Sequence, residues 1–135
     1  MNKKNGFTLV EFLGVITILA MLGVIIVPTI NNVISENRKK LYDTQIRNIK
    51  ASASNFVSEN ILSLDIEKNE SLGITLGMLK ELGYIDKNIT NPITRESFDN
   101  DLVIIITNNE SGFEYTVCTS DNLCDIDYEL YQEMI

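Results

Sequence analysis

From Phe7 to Ile30 the chain runs for 24 residues with a single ionisable side chain, Glu11. A bilayer core about 30 Å thick is crossed by about 20 helical residues. The run is therefore long enough to span, and too long for the apolar region of a secretory signal peptide. No A-x-A-like cleavage site follows it, since Val27-Pro28-Thr29 lacks small residues where such a site needs them. Glu11 is the exception that needs a reason. A carboxylate at the centre of a span costs roughly 2.5–3.5 kcal/mol, and less near the interface. It either has a function and a cationic partner, or it sits at headgroup depth.

From Glu36 onward the chain turns polar and acidic, and the 135 residues carry a net charge of −8. That balance opposes direct nucleic-acid binding, which needs clustered Lys and Arg. The cluster Arg38-Lys39-Lys40 lies just past the apolar run and reads as a juxtamembrane flank or solvated helix face. There is no histidine, so Ser-His and Cys-His catalysis is excluded and the usual near-neutral base is missing. No glycine-rich phosphate loop occurs. The expectation is a chain that is not an enzyme and holds no cofactor or metal.

Two acidic runs, Asp99-Asn100-Asp101 and Asp121…Asp125-Asp127, could be read as calcium ligands. Neither has EF-hand spacing, and turn and solvation chemistry accounts for both. Cys118 and Cys124 form a C-x5-C pair that is neither a CxxC redox motif nor, without histidine, a good zinc site. Outside the cell they would close a tight disulfide loop; the alternative is two buried free thiols.

The periodicity predicts α+β architecture. Val33, Ile34, Leu41, Ile46, Ile49, Ala53, Phe56 and Val57 recur at three- and four-residue steps, so one helix is expected from about Thr8 to Leu62. Ser63–Ser71 reads as loop. Thr75–Gly83 reads as a short helix with Thr75 as N-cap, Gly83 at C′ and Ile74 stapled onto Leu79. Asn91-Pro92 marks a turn. Leu102–Thr107 and Phe113–Cys118 read as strands of a hairpin, with Phe113, Tyr115 and Val117 on one face. Ile126, Tyr128 and Leu130 alternate as in a third strand, with a C-terminal helix as the alternative. A lone hairpin is marginal in water, so a small antiparallel sheet packed on the helix is expected.

The N-terminal residues add a family resemblance. Lys3-Lys4-Asn5-Gly6-Phe7-Thr8-Leu9-Val10-Glu11, followed by the long apolar run, resembles the leader of type IV prepilins and type II secretion pseudopilins. The likeness covers residues 1–34; beyond them it is architectural. It implies a leader at 1–6, a membrane helix at 7–30, an amphipathic continuation at 31–62 and an extracytoplasmic head at 63–135. It also implies cleavage by a prepilin peptidase between Gly6 and Phe7, N-methylation of Phe7, and assembly with other pilin or pseudopilin subunits through Glu11. Pro28 matches the family's helix proline and is expected to bend the helix. An assembly ATPase and a platform membrane protein are implied indirectly. The Ile, Asn and Lys richness and the short leader resemble low-GC Gram-positive relatives, including competence pseudopilins.

The resemblance implies a single-pass plasma-membrane protein with its N-terminus in the cytoplasm. A count of flanking charge points the other way, because Arg38, Lys39, Lys40 and Arg47 outnumber Lys3 and Lys4. Two other readings stand beside the filament subunit. One is an uncleaved, membrane-anchored binding or sensor domain; the other is an anchored enzyme, which lacks a nucleophile–base pair.

Overall fold

The computed structural model describes residues 6–120, 124–125 and 128–131. Most of the leader (Met1–Asn5), Asp121, Ile126 and Asp127 lie outside the described residues. Helix α1 runs Leu9–Leu64, followed by β1 (Ser71–Thr75), α2 (Leu76–Glu81), β2 (Val103–Asn109), β3 (Gly112–Val117) and β4 (Glu129–Leu130). The architecture is α+β: a long apolar N-terminal helix followed by a small mixed four-stranded sheet. The chain separates into two compact units, residues 1–38 and 39–135.

In the first unit α1 continues through Pro28 as unbroken helix. Hydroxyls along it are satisfied by the preceding turn: Thr17 Oγ1 donates to Leu13 O at 2.8 Å and Thr29 Oγ1 to Ile25 O at 3.1 Å. Such back-bonding lets a polar side chain sit in an apolar helix without an orphan donor.

The second unit holds the core. Ile49, Ala53, Phe56 and Val57 of α1 are buried with Ile74, Leu76, Leu79, Ile104, Ile106 and Val117. Their spacing on α1 is the i, i+4, i+7, i+8 pattern of one helix face. The predicted stripe is longer than the buried one, for Val33, Ile34 and Leu41 are exposed.

The sheet order is β3-β2-β1-β4. The expected hairpin is present, with β2 and β3 antiparallel and Ile106 opposite Tyr115. Strand β1 pairs antiparallel with β2 through Ser71–Thr107 to Thr75–Val103. Strand β4 pairs with β1 in parallel, Leu72 opposite Glu129 and Gly73 opposite Leu130. The sheet is thus mixed rather than wholly antiparallel, because the segment after β3 returns to the far edge of β1 in the same direction. Sequence periodicity missed β1, whose five residues contain Gly73 and end in Thr75, which also caps α2.

Helix α2 begins and ends as its residues predict. Thr75 Oγ1 accepts the Met78 N–H at 3.3 Å. At its C-terminus Gly83, at φ 81°, and Tyr84 donate to Lys80 O and Leu79 O at 3.3 and 2.9 Å. This is a Schellman closure, which needs a left-handed residue at C′. Ile74 and Leu79 are both fully buried in the same core.

The helix α2 also supplies Lys80, a cation with 6% of its surface exposed. Its Nζ donates to Phe98 O at 3.2 Å and to Asn100 Oδ1 at 2.9 Å. Those bonds tie the segment before β2 to α2. Nearer the end of α1, Tyr84 Oη donates to Glu59 Oε2 at 2.6 Å and accepts from Asn60 Nδ2 at 3.3 Å. The Tyr84 ring meets Phe56 edge-on at 5.6 Å between centroids, in the geometry aromatic quadrupoles favour.

Candidate assembly site at the start of the first helix

The segment Gly6-Phe7-Thr8 precedes α1 and lies outside the helix. Thr8 is its N-cap. The Thr8 carbonyl accepts the first helical bond, from Phe12 N at 3.1 Å. Thr8 Oγ1 accepts the Glu11 N–H at 3.3 Å, and Glu11 Oε2 accepts the Thr8 N–H at 2.9 Å. This reciprocal pair is a capping box, which satisfies two donors that a helix start leaves orphaned. The Thr-x-x-Glu spacing is the sequence signal for it.

Glu11 is therefore held at the first turn rather than at the centre of the span. A negative charge there is favoured by the partial positive charge of the helix N-terminus, by about 0.3–1 kcal/mol in exposed settings. The box also brings the carboxylate back to the amide one residue after Phe7. An amine created at Phe7 would be a close neighbour of the same carboxylate.

Around this site the apolar side chains have no cover. Phe7 is 84% exposed, and from Leu9 to Ile30 every residue is exposed except the half-buried Gly23. This helix is long and apolar enough to cross a membrane. Surface of that kind is stable in lipid or against other helices, not in water. It fits membrane anchoring.

The remaining predicted positions lie elsewhere. Pro28 is inside α1, where its ring leaves the Val24 carbonyl without an N–H donor from position 28. Cys118 and Cys124 are joined, with their Cα atoms 5.4 Å apart, at the end of β3 and far along the chain from Glu11. In the Asp99-Asn100-Asp101 run, Asp99 Oδ1 accepts the Asp101 N–H at 3.0 Å, while Asn100 Oδ1 serves Lys80. Among the described residues no group of three or more His, Cys, Asp and Glu side chains gathers in metal-binding geometry.

Residues 1–27 match the family model described as the prokaryotic N-terminal methylation motif. This is the signature of type IV pilins and pseudopilins, whose members are structural rather than enzymatic. In general terms the motif implies processing by a prepilin peptidase and polymerisation. Comparison with curated proteins and with solved structures gives no match.

Proposed function

We propose that this chain is a structural subunit of a type IV pilin-like filament, cut by a prepilin peptidase between Gly6 and Phe7 and assembled through α1. The observation that carries the reading is the methylation motif over residues 1–27 joined to an uncovered apolar helix. The scissile bond lies in the non-helical segment just before the Thr8 cap, where a peptidase can reach it. After cleavage the Phe7 amine, then methylated, would be the cationic partner that a carboxylate in apolar surroundings requires. Within one subunit Glu11 caps its own helix. In a filament the same oxygens would take the amine of a neighbouring subunit and so fix the stagger between helices.

In this reading the N-terminus lies in the cytoplasm before assembly, and residues 39–135 lie outside. The filament could serve secretion, DNA uptake or adhesion, and the acidic unit disfavours direct contact with DNA. The test is the intact mass of the protein from its native membrane. A mass lacking Met1–Gly6 and carrying one methyl is expected. Full-length mass in a cell that has the peptidase would overturn the proposal. It would favour instead the uncleaved, membrane-anchored binding or sensor domain.

A further inference from the structure

We propose that the outward face of α1 over residues 39–50 docks on a second copy of this chain, at the cleft where that copy's α1 ends; this rests on the filament reading. The first observation is a separation of charge along the sequence. Residues 38–50 hold Arg38, Lys39, Lys40, Arg47 and Lys50 against Asp43 alone, a net of +4. Residues 51–135 hold four basic and sixteen acidic residues, a net of −12.

The helix turns this composition into a surface. Lys40, Asp43, Arg47 and Lys50 follow at steps of three, four and three, so they share one face. Ile49, Ala53 and Phe56 point to the other side, into the core. Lys39, Lys40 and Arg47 are exposed. Arg47 Nε reaches its own helix at the Asp43 carbonyl, 3.3 Å away. Within the second unit this is a helix face that the sheet does not cover.

The second copy supplies a matching cavity. Leu64, Asp65, Ile66, Glu70, Leu72 and Glu129 bound a cleft of about 480 Å³ between the end of α1, β1 and β4. Three apolar side chains, Leu64, Ile66 and Leu72, set among three carboxylates in a mostly polar lining suit a long aliphatic stem that ends in a cation. A chain cannot fill this cleft with its own stripe. Arg47 and Asp65 stand 18 positions apart along a helix that runs to Leu64, about 27 Å of rise. A parallel copy displaced by about that distance brings the two together. Anionic lipid is the competing occupant of the basic face. Arg47 and Lys50 lie 17 and 20 positions beyond Ile30 in the sequence, past the Arg38-Lys39-Lys40 flank, which favours a protein partner.

The test uses the full-length chain in cells that assemble it, comparing Lys40→Glu/Arg47→Glu, Glu70→Lys/Glu129→Lys and all four substitutions together. Each pair alone should lower the filament-associated fraction about tenfold, a change of 1.4 kcal/mol in assembly. Cleavage after Gly6 and retention in the membrane before assembly should stay as in the wild type. The combined variant should recover to within about threefold. Glu70→Gln/Glu129→Gln removes the charge but keeps an oxygen for the Glu67 N–H that Glu70 accepts, so it should weaken assembly without disturbing that loop. Wild-type assembly of either reversed pair, or no recovery on combination, overturns the proposal. Lowered assembly of the Lys40→Glu/Arg47→Glu variant beside wild-type assembly of the Glu70→Lys/Glu129→Lys variant overturns it in favour of lipid. A wild-type chain that keeps Met1–Gly6 and forms no filament overturns the filament reading itself.

Discussion

The ammonium of Lys80 lies 2.9 Å from Asn100 Oδ1, bridging α2 to the segment that leads into β2. With 6% of its surface exposed it is a structural strut, and removing it leaves the Phe98 carbonyl without this donor. Lys80→Ala is expected to cost about 2–4 kcal/mol, from lost packing and unmet polar groups. Lys80→Met keeps most of the stem and should cost less. The guanidinium midpoint of the detergent-solubilised chain measures both, and equal losses would mean that the ammonium, not the packing of the stem, carries the contact.

Thr8 and Glu11 make separable contributions. Thr8→Ala should loosen the first turn by about 1 kcal/mol, visible as faster hydrogen exchange at the amides of Glu11 and Phe12. Glu11→Ala should be inserted and cleaved like the wild type yet assemble poorly. Normal filaments from Glu11→Ala would remove the proposed pairing with the Phe7 amine. Gly6→Val should block cleavage, and a mature-sized product would refute the proposed leader.

Gly73 is small for a reason visible in its surroundings. A Cβ built there would lie 2.5 Å from Cδ2 and 2.8 Å from Cε2 of Tyr128. The ring thus covers the face of the sheet on which Ile105, the cross-strand partner of Gly73, is fully buried. Gly73→Ala should destabilise the fold by about 1–3 kcal/mol through overpacking. Tyr128→Ala added to Gly73→Ala should relieve the clash. If the double variant is as unstable as the sum of the two singles, the contact is not the cause.

The Tyr84–Glu59 bond gives a pH dependence at the alkaline end. Donation to the Glu59 carboxylate raises the Tyr84 pKa above its usual 10.0, with burial adding to the rise. A folded-state pKa above the unfolded value contributes stability fully present below the unfolded pKa and lost as pH rises through the folded one. The wild type should therefore lose stability above about pH 10 more steeply than Tyr84→Phe, which has no phenol to ionise. Parallel stability curves for the two proteins above that pH would exclude the linkage.

The disulfide is expected to add a modest increment. Cys118 and Cys124 are six positions apart, and a loop that short is worth about 2 kcal/mol in the chain-entropy model. The pair Cys118→Ser/Cys124→Ser should fall by that amount in denaturant. An unchanged midpoint would show that the loop is already ordered without its link.

Much of this fold can be read from local sequence because local chemistry dictates it. The apolar run, the Thr75 and Gly83 caps and the alternation of Phe113, Tyr115 and Val117 each act within a few residues. What escaped depends on distant partners. Strand β1 is five residues long with a glycine at its centre, and only pairing with β2 and β4 makes it a strand. Lys80 carries no sequence mark of burial, since its acceptors lie 18 and 20 positions away. The buried stripe on α1 is shorter than its periodicity, since Val33, Ile34 and Leu41 are exposed. At the candidate site, Gly6, Phe7 and Glu11 were legible as a motif, whereas the hydrogen bonding that holds Glu11 to Thr8 is marked only by their Thr-x-x-Glu spacing.

The parallel pairing of β4 with β1 sets an order on folding. Strand β1 lies inside the sheet, yet its second neighbour arrives about 50 residues later in the chain, a long loop to close. Until Tyr128–Tyr131 has emerged, β1 presents an unpaired edge, a template for joining to another chain. The Tyr131 N–H then bonds Gly73 O at 2.8 Å, and its ring meets Phe56 at 5.9 Å. That late segment acts as a latch, so a partly delivered chain is the form most exposed to aggregation and proteolysis.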